Sequence, residues 1–176
     1  MHSKQALPDL IDKNLDTVFI GFNPGLRSAE LGHHYAGRSN RFWRFLHQSG
    51  LLPVPLKAEE DYKLLDYGYG STNIVDRPSR GAAELTREEY TEGREVLKAK
   101  LTHYRPKVAC YVGIGVYQEF AIVRKIQPGL QPGSVVSGVL DYVISSPSGL
   151  NRTPYEEQLR LYCELRELLE QIKNTE

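Results

Sequence analysis

The chain has 176 residues, of which 40% are hydrophobic and 25% are charged, and this suits one compact domain spanning residues 1–176. Its 22 basic and 22 acidic residues give a formal net charge of +0, which argues against a protein that coats DNA nonspecifically. Residues 23–48 nevertheless contain four arginines and one glutamate, whereas residues 153–176 contain six glutamates and three basic residues. The first region is suited to contact phosphate, although such an excess is common on ordinary surfaces.

Side chains that commonly bind metals are sparse and poorly spaced. Cys110 and Cys163 have no second cysteine at the spacing of a metal site. His33 and His34 are adjacent, which is poor spacing for one shared ion. We therefore expect reduced thiols and no metal.

Nothing in the sequence predicts insertion into a membrane or export. No apolar run approaches the ~18 residues that a membrane span needs, and residues 1–10 lack the apolar stretch of a signal peptide. We therefore expect a cytoplasmic protein. Residues 1–14 are expected to be an irregular extension of the domain, and without any signal for an oligomer we expect a monomer.

The first half of the chain predicts two strands and two helices. Residues 17–22, with the sequence TVFIGF, form a β-branched and aromatic run that predicts a strand ending at an Asn-Pro-Gly turn. Residues 39–50 predict a helix with Ser39 as its N-cap. A second helix is predicted at 56–66, and a second strand at 71–75.

The second half continues the alternation of strands and helices. Thr86 and Glu89 form a capping box that begins a long amphipathic helix ending near Tyr104. A buried parallel strand is predicted at 107–113, followed by a short helix at 115–123 and a strand at 139–146. The last predicted helix covers residues 153–173 and begins with a second capping box at Thr153 and Glu156. This order predicts an α/β domain with a mainly parallel sheet, whose ligand site lies beyond the carboxyl ends of the strands.

The first motif at such a strand end is GFNPG, residues 21–25. A strand running into Asn-Pro-Gly places Asn23 at the carboxyl edge of the sheet. Pro24 restricts the turn, and Gly25 allows close approach of a ligand to the backbone. The alternative is that the motif is only a good turn sequence.

The second motif is SSPSGLNR, residues 145–152, after the last predicted strand. Leu150 is an apolar residue at a loop tip, flanked by Gly149, Asn151 and Arg152. Such an apolar side chain can enter a base stack as a wedge while its polar neighbours hold the orphaned base and the phosphates. The alternative is an ordinary strand-to-helix connection with Leu150 folded inward.

A carboxylate also follows the second predicted strand, in TNIVDRPSRG, residues 72–81. Asp76 at that strand end can serve as a general base. It can equally form an ion pair with Arg77 or Arg80 that braces a turn. The residues leave these two interpretations open.

Four stretches, GFNPGLRSA, NRFW, LLDYGYGSTNIVDRPS and SPSGLNR, together resemble the mismatch-specific uracil/thymine branch of the uracil-DNA glycosylase superfamily. Their order and spacing match from about Asp16 to Arg152. The resemblance implies a three-layer α/β/α sandwich with a mainly parallel sheet of four or five strands. It also implies a flipped-out pyrimidine as substrate and neither a metal nor an organic cofactor.

The resemblance also implies roles for individual residues. The matching positions are Asn23 for the attacking water, Tyr35 for stacking on the base, Phe22, Ser28 and Asn73 for the substrate pocket, Leu150 for the wedge, and Ser148, Gly149, Asn151 and Arg152 for holding DNA. Asp76 is added here as a catalytic hypothesis, conditional on its facing the pocket. Bacterial members often have asparagine where this chain has Ser146, and lysine where it has Asn73.

The expected function is therefore base-excision repair of double-stranded DNA. The enzyme would release uracil, preferably from U:G mismatches, and thymine or damaged pyrimidines are further candidates. One alternative is a protein that binds mismatches or abasic sites without cleaving. Another is an enzyme that takes free nucleosides, but such an enzyme has no use for a wedge loop.

Overall fold

The computed structural model describes residues 7–176 and contains a five-stranded sheet. The strands are β1 (Thr17–Gly21), β2 (Tyr69–Asn73), β3 (Val108–Val112), β4 (Gly129–Leu130) and β5 (Leu140–Ile144). The α-helices are α1 (Leu26–Leu31), α2 (Phe42–Gln48), α3 (Arg87–Tyr104), α4 (Ile114–Ala121) and α5 (Tyr155–Asn174). Two 3-10 segments lie at Ala58–Tyr67 and Ala82–Glu84.

The strand order β2-β1-β3-β5-β4 brings the two sequence motifs to one edge of the sheet. Strands β2, β1, β3 and β5 are parallel to one another, and β4 pairs with β5 in the antiparallel sense. Gly21 at the end of β1 lies opposite Asn73 at the end of β2, and Val112 lies opposite Ile144. The loops that follow β1, β2 and β5 therefore meet at the carboxyl edge, where parallel sheets bind their ligands.

Each face of the sheet carries its own hydrophobic core. All five residues of β1 and all five of β3 are buried, as expected for parallel strands covered on both sides. One core joins Phe19 to α2, α5 and the first 3-10 segment, whereas the other joins Val18 and Ile20 to α3 and α4. The alternation of side chains along β1 thus builds the predicted three-layer α/β/α sandwich.

The two predicted capping boxes differ in outcome. In the first, the Glu89 backbone N–H donates to Thr86 Oγ1 at 3.2 Å and the Thr86 N–H donates to Glu89 Oε1 at 3.1 Å, which confirms the prediction. The second is wrong, because Pro154 is extended and α5 begins only after it, without a side-chain cap. The Thr153 N–H instead donates to Asn151 Oδ1 at 3.0 Å, so Thr153 belongs to the preceding loop.

Ser39 is not the N-cap of α2. The helix begins later, with Arg41 in the cap position, and Asn40 Oδ1 accepts the Phe42 N–H at 2.9 Å. Ser39 packs against Gly149 of the wedge motif instead, where an added β-carbon would lie 2.7 Å from Ser39 Cβ. A tertiary contact between two loops has therefore displaced a locally favourable cap.

Three short elements were not predicted from the sequence, namely α1, β4 and the 3-10 segment Ala82–Glu84, and a fourth was given the wrong type. Helix α1 follows the NPG turn directly, and β4 lies in a turn-rich stretch. The predicted helix at 56–66 is a 3-10 segment at Ala58–Tyr67. Short runs of this kind have weak periodicity, and their neighbours in the fold determine their form.

The residues that precede β1 are anchored to the sheet. Leu10 and Ser71 exchange two backbone hydrogen bonds of 3.0 and 2.8 Å. Asp9 accepts from Thr72 Oγ1 at 2.7 Å and pairs with Lys100 at 2.6 Å. From residue 7 onward the expected irregular extension therefore packs firmly, while residues 1–6 lie outside the described part. Within residues 7–176, no helix is both long and apolar enough to cross a membrane.

Candidate active site at the carboxyl edge of the sheet

A cleft of about 360 Å³ opens where the loops after β1, β2 and β5 converge. Six of the predicted site residues line it, namely Phe22, Asn23, Ser28, Tyr35, Asn73 and Ser148. The wedge residues Gly149 to Arg152 lie beyond its rim, and Asp76 lies elsewhere. Among residues 7–176, no group of three or more histidine, cysteine, aspartate or glutamate side chains could hold a metal ion.

The amide of Asn23 is held in one orientation. Its Nδ2 donates to the Arg77 carbonyl at 2.8 Å and to Ser79 Oγ at 2.7 Å. Ser79 Oγ itself donates to the Gly81 carbonyl at 2.8 Å, so its hydroxyl proton is committed and it can only accept from Asn23. Both amide protons are therefore used, and within residues 7–176 no group donates to Asn23 Oδ1. That oxygen is left to accept a hydrogen bond from a water in the cleft.

Three elements converge at Gly21 to form the floor of the cleft. A β-carbon at Gly21 would lie 2.7 Å from Asn73 Oδ1 and 3.2 Å from the Tyr35 hydroxyl. The lack of a side chain there is what allows Asn73 and Tyr35 to approach the same point. Glycine at this position is thus needed for close approach, because its backbone has an ordinary extended conformation.

Tyr35 offers a flat aromatic wall. Its ring stacks on Phe42, with centroids 4.0 Å apart and an interplanar angle of 24°. Its backbone has a left-handed φ of +52°, which is uncommon for a residue with a side chain. The Tyr35 hydroxyl is buried and has no hydrogen-bond partner within residues 7–176, and burial raises its pKa. The Tyr35 side chain therefore reaches the cleft as a neutral phenol.

A network around His34, which sequence analysis did not anticipate, supports the loop that carries Tyr35. His34 is 2% exposed, and its Nε2 donates to the Pro8 carbonyl at 2.7 Å, which leaves Nδ1 to accept from Ser71 Oγ at 2.8 Å. Burial lowers the pKa of His34, so the imidazole is neutral. Ser28 adds a brace, because its Oγ accepts the Ala36 N–H at 3.0 Å. An adjacent pair of histidines gave no sequence signal for this role.

Phe22 lines the cleft through its position at the end of β1. Its ring points toward the helices, with the centroid 6.3 Å from that of Tyr90, and it lies where a β-carbon at Gly115 would clash at 2.7 Å. The Phe22 carbonyl accepts the Val75 N–H at 2.9 Å. The Phe22 ring is therefore packed against the helices, and the backbone polar groups of this turn are the candidates for reading a base.

Asp76 does not meet the condition set for a general base. It is exposed and lines a separate depression with Glu89, Glu92 and Gly93. The alternative, an ion pair of Asp76 with Arg77 or Arg80, is also wrong. Within residues 7–176 Asp76 lies within ion-pair distance of neither arginine, and Arg77 pairs with Glu89 at 2.8 Å. No aspartate or glutamate lines the main cleft within the described range.

The loop SPSGLNR presents its apolar tip to solvent. Leu150 is 89% exposed, so the inward-folded alternative is wrong. The loop itself is ordered: the Leu150 and Asn151 N–H groups donate to Ser148 at 3.2 and 3.0 Å. Asn151 Nδ2 also donates to the Ser146 carbonyl at 2.8 Å. A rigid loop with a solvated leucine has the form of a wedge.

Several arginines of the cleft and of the segments that flank it in the chain have no acidic partner within residues 7–176. Arg27 and Arg80 line the cleft, Arg152 follows the wedge, and Arg38 and Arg44 lie on the segment around the start of α2. Within residues 7–176, none of these five lies within ion-pair distance of a carboxylate. Their charge is therefore available to phosphate groups, although the whole chain is neutral.

The chain is similar to known proteins in sequence and in fold. The family model described as the uracil DNA glycosylase superfamily matches residues 8–170. The fold is similar to a solution structure from Methanosarcina acetivorans, a protein provisionally named as a uracil DNA glycosylase, with a TM-score of 0.64 and 18% identity. That match covers 95% of this chain and 98% of the other. Because the family model spans nearly all of the fold and of the cleft, the chain belongs to the uracil DNA glycosylase superfamily.

Proposed function

We propose that the protein is a hydrolytic DNA glycosylase that releases uracil from double-stranded DNA, preferably from U:G mismatches, and leaves an abasic site. Thymine and damaged pyrimidines are further candidate bases. One observation carries the proposal: the oriented Asn23 amide, whose free Oδ1 faces a cleft beside an exposed wedge. Membership of the superfamily supports it.

The cleft suits a planar base extruded from the duplex. The Tyr35 ring, backed by Phe42, provides a stacking surface, while Asn73 supplies amide groups that can pair with the polar edge of a pyrimidine. Extrusion costs a few kcal/mol and costs least at a mismatch. This supports the preference for uracil opposite guanine.

The chemistry follows from what an amide can do. Asn23 Oδ1 can accept a hydrogen bond from a water and aim it at the anomeric carbon, but an amide does not remove a proton at neutral pH. The bond between the anomeric carbon and the base nitrogen breaks, so the sugar gains oxocarbenium character as the base leaves as an anion. The water oxygen bonds to the anomeric carbon and releases its proton to solvent. Backbone N–H groups at the end of β1 are candidates to stabilise that anion. Since no carboxylate of residues 7–176 lines the cleft, the reaction depends on a good leaving group such as uracil.

DNA is held on both sides of the cleft in this proposal. Leu150 fills the space that the flipped nucleotide leaves, and Arg152 contacts the backbone next to it. Arg27 and Arg80 lie at the opposite wall and are free to bind phosphates of the extruded strand. Binding should accordingly weaken as salt concentration rises.

The absence of a carboxylate from the described cleft favours one second candidate, a protein that binds lesions without cleaving them. Single-turnover cleavage of a labelled duplex with one U:G pair, followed by alkali, separates the two. Release of uracil supports the glycosylase. No release by folded protein, combined with tight binding to an abasic duplex, supports the binding protein.

Asp76→Asn is expected to leave the single-turnover rate on U:G duplex within about twofold of wild type, because Asp76 lies outside the cleft and touches no reacting atom. The same alkali assay measures the rate. A loss of more than about tenfold, with unchanged thermal stability, would restore Asp76 as a catalytic residue.

Leu150→Ala is expected to lower the cleavage rate on uracil in duplex DNA by about tenfold. Without the leucine, the gap in the base stack is unfilled and the flipped nucleotide returns to it more readily. Uracil in a single strand should be cleaved as before, since there is no stack to fill. Ile122→Ala, which truncates another exposed apolar residue at 75% exposure away from the cleft, is the matched control. Equal losses on both substrates would contradict the wedge.

A further inference from the structure

The loop between β2 and α3, residues 76–85, holds the catalytic amide and is here named the brace loop. It contributes the Arg77 carbonyl and the Ser79 hydroxyl that accept the two protons of Asn23. It also pairs with the NPG turn, because the Ser79 N–H donates to the Pro24 carbonyl at 3.2 Å. The orientation of the Asn23 amide therefore depends on the position of the brace loop.

Arg77 fastens this loop to α3. Its Nε donates to Glu89 Oε2 at 2.8 Å and its Nη2 to Glu89 Oε1 at 2.9 Å, which is a two-point contact with the carboxylate. Nη2 also donates to the Glu84 carbonyl at 2.8 Å, within the brace loop. Arg77 lowers the pKa of Glu89 to about 2, so the pair is charged at neutral pH. Glu89 is fixed in turn, because it completes the Thr86 capping box.

We propose that Arg77 and Glu89 are positioning residues for the hydrolysis, and that their ion pair fixes the acceptors that select one orientation of the Asn23 amide. This rests on the proposed glycosylase function. An asparagine side chain has nearly the same shape after its oxygen and nitrogen exchange places. The exchanged amide would offer the water a donor where an acceptor is needed. Arg77 does not line the cleft, so it acts only through Asn23.

The test uses Arg77→Met, which removes the guanidinium but keeps most of the apolar stem. The single-turnover rate on U:G duplex is expected to fall between about 10-fold and 100-fold, the range found for small misplacements of catalytic groups. The dissociation constant for an uncleavable 2′-fluoro-deoxyuridine duplex should change less than about twofold. Glu89→Gln keeps the capping oxygen and should follow the same pattern with a smaller loss.

The matched control is Arg94→Met, because Arg94 lies on α3, the helix to which Arg77 is tied, and its guanidinium also pairs with a glutamate, Glu119, at 3.8 Å. Its rate should equal that of wild type. In an Asn23→Ala background, Arg77→Met should cause no further loss beyond about twofold, since residues that act as a unit are not additive. A merely structural role predicts that the two losses multiply, and that result would overturn the proposal.

A readout without substrate separates this proposal from the glycosylase proposal. In ¹⁵N-labelled protein, the side-chain amide protons of Asn23 should exchange with water at least about tenfold faster in Arg77→Met than in wild type. Arg94→Met should leave that exchange unchanged. If Arg77→Met leaves the exchange rate of the Asn23 amide protons unchanged, the proposed positioning role of Arg77 and Glu89 is overturned, whether or not the protein cleaves uracil. Faster exchange in a protein that does not cleave uracil would support the orientation of Asn23 by the Arg77–Glu89 pair and would contradict the glycosylase proposal.

Discussion

Asn23→Ala is expected to lower the single-turnover rate of uracil release by about 100-fold or more, because the substitution removes the group that aims the attacking water. Asn23 Oδ1 is an oriented acceptor at the cleft, since both amide protons are bound to the brace loop. No carboxylate lines the described cleft to take over its role. The measurement is alkali cleavage of a labelled U:G duplex with enzyme in excess.

Two controls keep this result interpretable. Truncation at Asn23 opens the space between the cleft and the two acceptors, the Arg77 carbonyl and the buried Ser79 hydroxyl, so that water can replace the lost amide. Thermal stability should therefore change little, and binding to the uncleavable duplex should persist. If Asn23→Ala retained most of the wild-type rate, then water activation would have to come from another residue, and the proposed mechanism would fail.

Gly93→Ala is expected to destabilise the fold by about 2 kcal/mol or more, because there is no room for a β-carbon at that position. The added carbon would lie 2.1 Å from the Ile74 carbonyl oxygen and 3.1 Å from its carbon. Both are backbone atoms of the residue directly after β2, so no flexible side chain can move aside. Helix propensity alone predicts the opposite sign, a gain of about 1 kcal/mol for glycine to alanine. Urea unfolding of the variant decides between them.

Ala99→Gly on the exposed face of α3 is the matched control for Gly93→Ala, and it should cost about 1 kcal/mol through helix propensity alone. Gly93 and Glu89 lie four residues apart on the same face of α3. The close approach of the helix at Gly93 therefore also brings Glu89 to Arg77. A stabilised Gly93→Ala protein would show that α3 can move outward without cost, and would contradict the packing described here.

The sequence by itself determined the architecture and the chain positions of the site. TVFIG and VACYV are buried strands because their apolar side chains can cover both faces of a sheet, and this tendency is local. The turn after β1 was also predicted correctly, since Asn, Pro and Gly act on their immediate neighbours. The exposed leucine of SPSGLNR was implied by the family resemblance, because the loop sequence alone left its direction open. The capping box of α3 needs only residues Thr86 and Glu89.

The tertiary structure decided every feature that joins distant residues. Asn23 and Ser79 are 56 positions apart, so no local pattern shows that one orients the other. The same holds for His34 and Ser71 and for the close approach of Gly93 to Ile74. Asp76 shows the reverse case: a carboxylate after a strand is a reasonable general base from its chain position, but the direction of its side chain places it outside the cleft. Local propensity determines which elements form, whereas the packing of those elements determines which side chains meet.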